Sequence, residues 1–254
     1  MIKKERGEFG LKEKIYTIPV NEVYEIDCEC PLCVLEERLE NEAVDYEMGG
    51  AMMEADHREL SNNTGFCNTH LSMMFKMQNK LSLALVLDTR LEQIRKELNN
   101  VKEAVSENTK GGLFKKNTNS SQMLLEWLKG VNGGCMVCEK INRTMNRYID
   151  VLLYMWAKDD DLKKKFDNSK GLCLKHTMAV SDMIPKSLKG ADVQKFTKSL
   201  LEKQESELLR VQNDIHKFTL KFDYRNKDME WGTAHDAPIR TIEKLAGYVK
   251  DKEE

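Results

Sequence analysis

A chain of 254 residues with 40 basic and 42 acidic side chains carries a formal charge of -2, which excludes the strongly basic footprint expected of a nucleic-acid binder. The longest uninterrupted aliphatic run, Leu83 to Leu87, falls far short of the roughly 20 residues a membrane helix needs. No apolar stretch follows the charged residues Met1 to Glu8, so the sequence implies a cytoplasmic protein without signal peptide or membrane contact.

Residues 1–27 read as an N-terminal extended segment, because Ile15 to Val20 has a strand-like look that Pro19 interrupts. From there the periodicity is helical throughout and the expected fold is all-α. Residues 28–108 form a first module. Leu32, Leu35, Leu39, Ala43 and Tyr46 make one helical stripe, with Pro31 suited to its first turn. Gly49 and Gly50 break that helix, a shorter one runs from about Met52 to Leu60, and Ser61 to Gly65 ends it. A long helix follows, in which Ala84, Leu87, Leu91, Ile94, Leu98, Val101 and Val105 alternate at three and four residues, as a coiled-coil-like seam does.

Residues 109–121 have the composition of a linker. Residues 122–222 repeat the scheme. Val137, Ile141, Met145, Tyr148, Leu152 and Met155 stripe an outgoing helix, Asp159 to Asp167 begins the return, and Asn168 to Gly171 stops it. Pro185 and Gly190 separate a short helix from a long one striped by Phe196, Leu200, Gln204, Leu208, Val211, Ile215, Phe218 and Phe222. Residues 223–254 form a tail with a polar turn region and a short helix from Pro238 to Val249.

The chemistry lies in the cysteines. Cys30-Pro-Leu-Cys33 is followed by Cys67-Asn-Thr-His70, and Cys135-Met-Val-Cys138 by Cys173-Leu-Lys-His176. The half-motifs are 33 residues apart in the first copy and 34 in the second, and both CxxH halves carry glycine two residues earlier, Gly65 and Gly171. A CxxC turn presents two thiolates from one piece of backbone and the CxxH helix start presents the other pair. Each copy therefore reads as a closed Cys3His site for one ion, Cys30, Cys33, Cys67 and His70 in the first and Cys135, Cys138, Cys173 and His176 in the second. The expectation is a pseudo-twofold repeat of metal-pinned helical hairpins.

Zinc, two ions per chain, suits these donors. An iron-sulfur cluster is the alternative, since three thiolates and a histidine can hold one. Cys28 keeps it open, as a spare thiol that the second copy lacks or a bystander near the site. CPLC also looks like a glutaredoxin dithiol, but the helical context lacks the β/α pattern of that fold.

Other residues carry less. Glu54 and His57 form half of a di-iron pattern without a counterpart, and so read as a solvated helix face. Glu36, Glu37, Glu40, Glu42, Asp45 and Glu47 read the same way. His216 and His235 stand without partners, and the methionines around Met48, Met53 and Met74 read as adaptable core packing rather than a binding groove. No Walker loop, dinucleotide fingerprint or nucleophile elbow occurs, so no catalytic constellation is assigned. In the tail, Asp and Arg of Phe222-Asp-Tyr-Arg225 and Asp236-Ala-Pro-Ile-Arg240 are expected to pair while Tyr224 packs onto the helices, a ligand pocket being the other reading.

The motifs Lys14 to Asn21, Cys30 to Cys33, Gly65 to His70, Leu83 to Leu85, Gly171 to His176, Phe222 to Arg225 and Asp236 to Arg240 together resemble an uncharacterised family of anaerobic, mainly clostridial bacteria, a domain of unknown function. The resemblance spans nearly the whole chain and implies a cytoplasmic bacterial protein without an assigned activity. The expected task is that of a metal-stabilised scaffold binding a protein or small ligand; the alternative is a metal- or iron-sulfur-dependent redox or sensor protein.

Overall fold

The structure, a computed structural model, describes residues 6–109 and 120–249. The expected linker falls almost wholly outside them. Among the described residues there are eleven α-helices and no strand. None of these helices is long and apolar enough to cross a membrane.

In chain order they are α1 (Arg6–Val23), α2 (Pro31–Met48), α3 (Ala55–Thr64), α4 (Asn68–Lys76), α5 (Lys80–Thr109), α6 (Ser120–Asn132), α7 (Met136–Lys158), α8 (Asp160–Asn168), α9 (Leu174–Ser187), α10 (Ala191–Leu220) and α11 (Ala237–Ala246). The chain divides into two compact units, one of Met1–Arg38 with Thr144–Glu254 and one of Leu39–Arg143.

In the first unit, α1 replaces the expected extended segment and runs through Pro19. Burial overrides the missing N–H: Val20 and Val23 are fully enclosed, and Tyr16 meets Tyr148 edge to face at 5.5 Å while its hydroxyl accepts from Arg147. The core of this unit is aromatic at its centre, with Trp156 edge-on to Phe196 at 4.9 Å and Phe166 between Phe196 and Tyr24. The α7 stripe is buried along its whole expected length. Asp159 caps α8 by accepting from the backbone of Asp161 and Leu162. Pro185 lies inside α9 rather than ending it, and Gly190, at φ +59°, makes the break before α10. Tyr224 is 77 % exposed, against expectation. The tail is tied down instead by Trp231 against Phe218 at 5.4 Å and by Arg240 on Asp214 and Asp236 at 2.9 and 2.7 Å.

In the second unit, a short 3-10 turn at Gly50–Met53 precedes α3, so the return helix starts three residues later than its periodicity suggests. Met48 and Met74 are core residues, whereas Met53 is 82 % exposed. The seam of α5 departs from expectation only in its first half, and Ile94, Leu98, Val101 and Val105 lie on the half-buried face as expected. Leu83 and Val86 turn inward and Leu87 and Leu91 outward, since the facing helices fix which side of α5 is covered.

Candidate metal centres

All four half-motifs use one local device. Cys30, Cys67, Cys135 and Cys173 each stand immediately before a helix, and the second donor, Cys33, His70, Cys138 or His176, sits at its third residue. The Cys33 N–H closes on the Cys30 carbonyl at 3.0 Å, and Cys173 Sγ accepts from the His176 backbone N–H at 3.4 Å. Each donor pair thus sits at the positive end of a helix dipole, which favours thiolate over thiol at its cysteines. Gly65 and Gly171 approach the CxxH turns at φ +82° and +73°. A cationic side chain from a long helix seals the chain end beside each of them: Arg90 on the carbonyls of Asn62 and Asn63, and Lys203 on that of Asp167.

The halves are exchanged between copies. Cys30 and Cys33 converge with Cys173 and His176, and Cys67 and His70 with Cys135 and Cys138. Each group could hold one metal ion, with its donor atoms within 4.8 Å of one another. The expected sets of Cys30, Cys33, Cys67 and His70, and of Cys135, Cys138, Cys173 and His176, are therefore corrected. The reason is reach. Eighteen residues carry α2 about 27 Å outward, and the ten of α3 return only about 15 Å. The Cys67 turn stops at Glu40 instead of travelling back to the start of α2. In the second copy α7 is longer still, at 23 residues, against nine in α8. The resulting order is nested, the outer half-motifs closing around the inner pair along the sequence.

The first centre lies in the first unit with all four donors buried. His176 Nδ1 stands 3.4, 3.3 and 3.3 Å from the sulfurs of Cys30, Cys33 and Cys173, and the Cys33 and Cys173 sulfurs are 3.6 Å apart. Its other ring nitrogen faces Glu36 at 3.5 Å, a carboxylate shared with Lys175. The second centre lies in the second unit, with His70 and Cys135 buried and Cys67 and Cys138 half-buried. His70 Nδ1 is 3.2 Å from Cys67 and Cys135 and 3.5 Å from Cys138. Its Nε2 meets the buried Glu40 at 2.9 Å, and Met136 N–H bonds to the Gly65 carbonyl, tying the two half-motifs together. In both centres a carboxylate lies against the far imidazole nitrogen, an arrangement that would turn the Nδ1 lone pair toward a metal held among the sulfurs.

Three sulfurs at this spacing cannot all ionise without a cation among them. In the first centre the Cys173 sulfur pushes the Cys33 thiol up to about 12, burial pushes Cys30 well above its ordinary value, and both thiols in turn hold Cys173 low. In the second, burial and then Cys135 push Cys138 up to about 12. For Cys135 itself burial is outweighed by the hydrogen bond to His70, and the thiol falls to about 6. Each group thus gathers its charge on one sulfur. A divalent cation lets all three ionise, so the donor sets fit a bound metal.

Behind the first centre lies an ion network that the sequence reading missed. Lys244, fully buried, donates to the carbonyls of Glu29 and Lys170 at 2.8 and 2.6 Å and stands 3.3 Å from the Glu29 carboxylate. It clamps the backbone before Cys30 to the backbone before Cys173. Arg210 holds the same carboxylate at 2.6 Å. The backbone N–H of Tyr248 bonds to the Cys33 sulfur and helps to hold that thiol down. The Glu40 and Glu36 roles also correct the solvated-face reading of α2, as does Glu47, buried and bonded to His57 at 2.9 Å. The only sequence signal was a carboxylate spacing of four on a cysteine-headed helix. Cys28 belongs to neither group of donors.

Comparison with curated proteins and with solved structures gives no match. Residues 11–252 match the pattern of a family of unknown function, DUF6062, and the chain belongs to that family.

Proposed function

We propose that this is a zinc protein in which two ions act as internal cross-links of a helical scaffold, each joining two helix starts far apart in sequence. The observation that carries the reading is the spacing of the donors. A tetrahedral zinc with sulfur at about 2.3 Å and nitrogen at about 2.0 Å places neighbouring donors roughly 3.5 to 3.8 Å apart. The sulfur-nitrogen distances of 3.2 to 3.5 Å and sulfur-sulfur distances of 3.6 and 3.9 Å fit those edges. An iron-sulfur cluster interposes several irons and sulfides between its ligands, and such close sulfurs leave no room for them.

Four protein donors per ion leave no position for a substrate or catalytic water, which supports a structural role and a scaffold that binds a protein or small ligand. Elemental analysis after purification without oxygen tests this: two zinc ions per chain and a colourless protein are expected. Iron with acid-labile sulfide, and a brown protein, would replace this reading with the cluster one.

A further inference from the structure

The seam along α5 is covered over only part of its length. From Ile94 to Val105 it lies half-buried on the stretch that α6 follows, but Leu87 is exposed and Leu91 is 57 % exposed. Helix α6 buries no residue fully, and Leu124, Leu125 and Leu128 are exposed on it. The two exposed sets share one flank. Arg90 donates to the Val131 carbonyl at 3.0 Å and the Trp127 indole to Glu97 at 3.3 Å, so the helices run antiparallel and these residues mark their facing sides. A helix turns by about 100° per residue, and in an antiparallel pair the residue after each facing one falls on the same side of both helices. Leu91 follows Arg90, Leu98 follows Glu97 and Leu128 follows Trp127. Beside Leu87, α4 and α5 leave a groove of about 350 Å³ whose apolar wall includes Leu71, Leu83 and the 65 % exposed Phe75. All of these residues belong to the second unit. A face about 30 Å long and two helices wide covers roughly 600 Å², at the upper end of what a monomer shows and near the ~800 Å² per partner of a stable interface.

The charges decide what covers it. Glu92 and Lys96 pair with each other along α5 at 2.9 Å. That leaves Asp88 and Arg95, both exposed at the edge of the Leu91 stripe and neither in an ion pair among the described residues. They stand seven residues, about two turns, apart on one edge with opposite signs. An acidic or a basic partner would meet one of the two with its own sign, whereas an inverted copy of the same edge meets each with its opposite. We propose that the face built from α4, α5 and α6 is the two-fold interface of a homodimer. Helix α5 of one copy runs antiparallel to α5 of the second with Leu91 at the axis, which brings Asp88 of each copy within one residue of Arg95 of the other and forms that pair twice. Leu128 stands about level with Arg95, and inversion about Leu91 places it opposite Leu87, at the mouth of the other copy's groove between α4 and α5.

Sedimentation velocity on the full-length protein as purified tests this, with a mass of twice 29.4 kDa expected. Leu91→Glu should give a monomer with unchanged helical circular dichroism, since that side chain is already exposed in the single chain. Asp88→Arg and Arg95→Asp each set like charges against each other at both ends of the interface and should weaken the dimer at least about tenfold. An equimolar mixture of those two variants should regain it, because each copy then offers the sign the other lacks. This recovery separates an interface effect from a folding defect. A wild type that stays monomeric at every concentration, the face being open or covered by another part of its own chain or by a different partner, overturns the proposal. So does a dimer that survives Leu91→Glu, or a pair of weakened variants that fails to recover on mixing.

Discussion

Stripping both ions from the reduced protein should unfold it. Structural zinc contributes on the order of 10 kcal/mol of apparent binding energy at neutral pH, comparable to the whole stability of an ordinary domain. The remaining helices are not expected to stand alone: α3, α4 and α8 have ten, nine and nine residues, below the length at which an isolated helix persists in water. Helical circular dichroism should fall sharply on chelation and return on adding zinc under reducing conditions. Apoprotein that keeps a cooperative thermal transition at the same temperature would show that the ions are passengers.

The second large effect is expected far from any sulfur. Lys244→Met removes the ammonium shared by the carbonyls of Glu29 and Lys170 and leaves the buried Glu29 carboxylate short of one counter-charge. Breaking a buried pair from one side costs about 3 to 5 kcal/mol. Because the two carbonyls flank Cys30 and Cys173, zinc should also bind more weakly at the first centre, while the second keeps its affinity. Urea unfolding monitored alongside zinc competition separates the two effects. A loss below about 1 kcal/mol would mean that Arg210 and Arg240 alone neutralise Glu29.

The sequence made the helices legible because their stripes are long and regular, and it made the eight cysteine and histidine residues of the two groups legible because thiol and imidazole spacing is a local property of a turn. Pairing was not legible. Two copies of one motif can close within themselves or by exchange, and the choice depends on lengths the motif does not contain: α3 is too short to bring Cys67 back along α2. Pro19 misled for a related reason. Its cost in a helix is local, whereas the burial of Val20 and Val23 that overrides it is tertiary. Glu40 and Glu47 read as surface because carboxylates usually are, and only the arrival of His70 and His57 makes them interior groups. Lys244 and Glu29 are 215 residues apart and share no pattern at all.

The exchange of half-motifs is the centre of this account, and counting metal in paired substitutions tests it most directly. Cys33 and Cys173 are 140 residues apart in sequence, yet their sulfurs lie 3.6 Å apart in one group of donors. Cys33→Ala and Cys173→Ala alone should each leave one zinc per chain, and together they should still leave one, because both strip the same centre. Cys33→Ala combined with Cys67→Ala should leave none. If the halves closed within each copy, the counts would reverse: the Cys33 and Cys67 pair would retain one zinc and the Cys33 and Cys173 pair none.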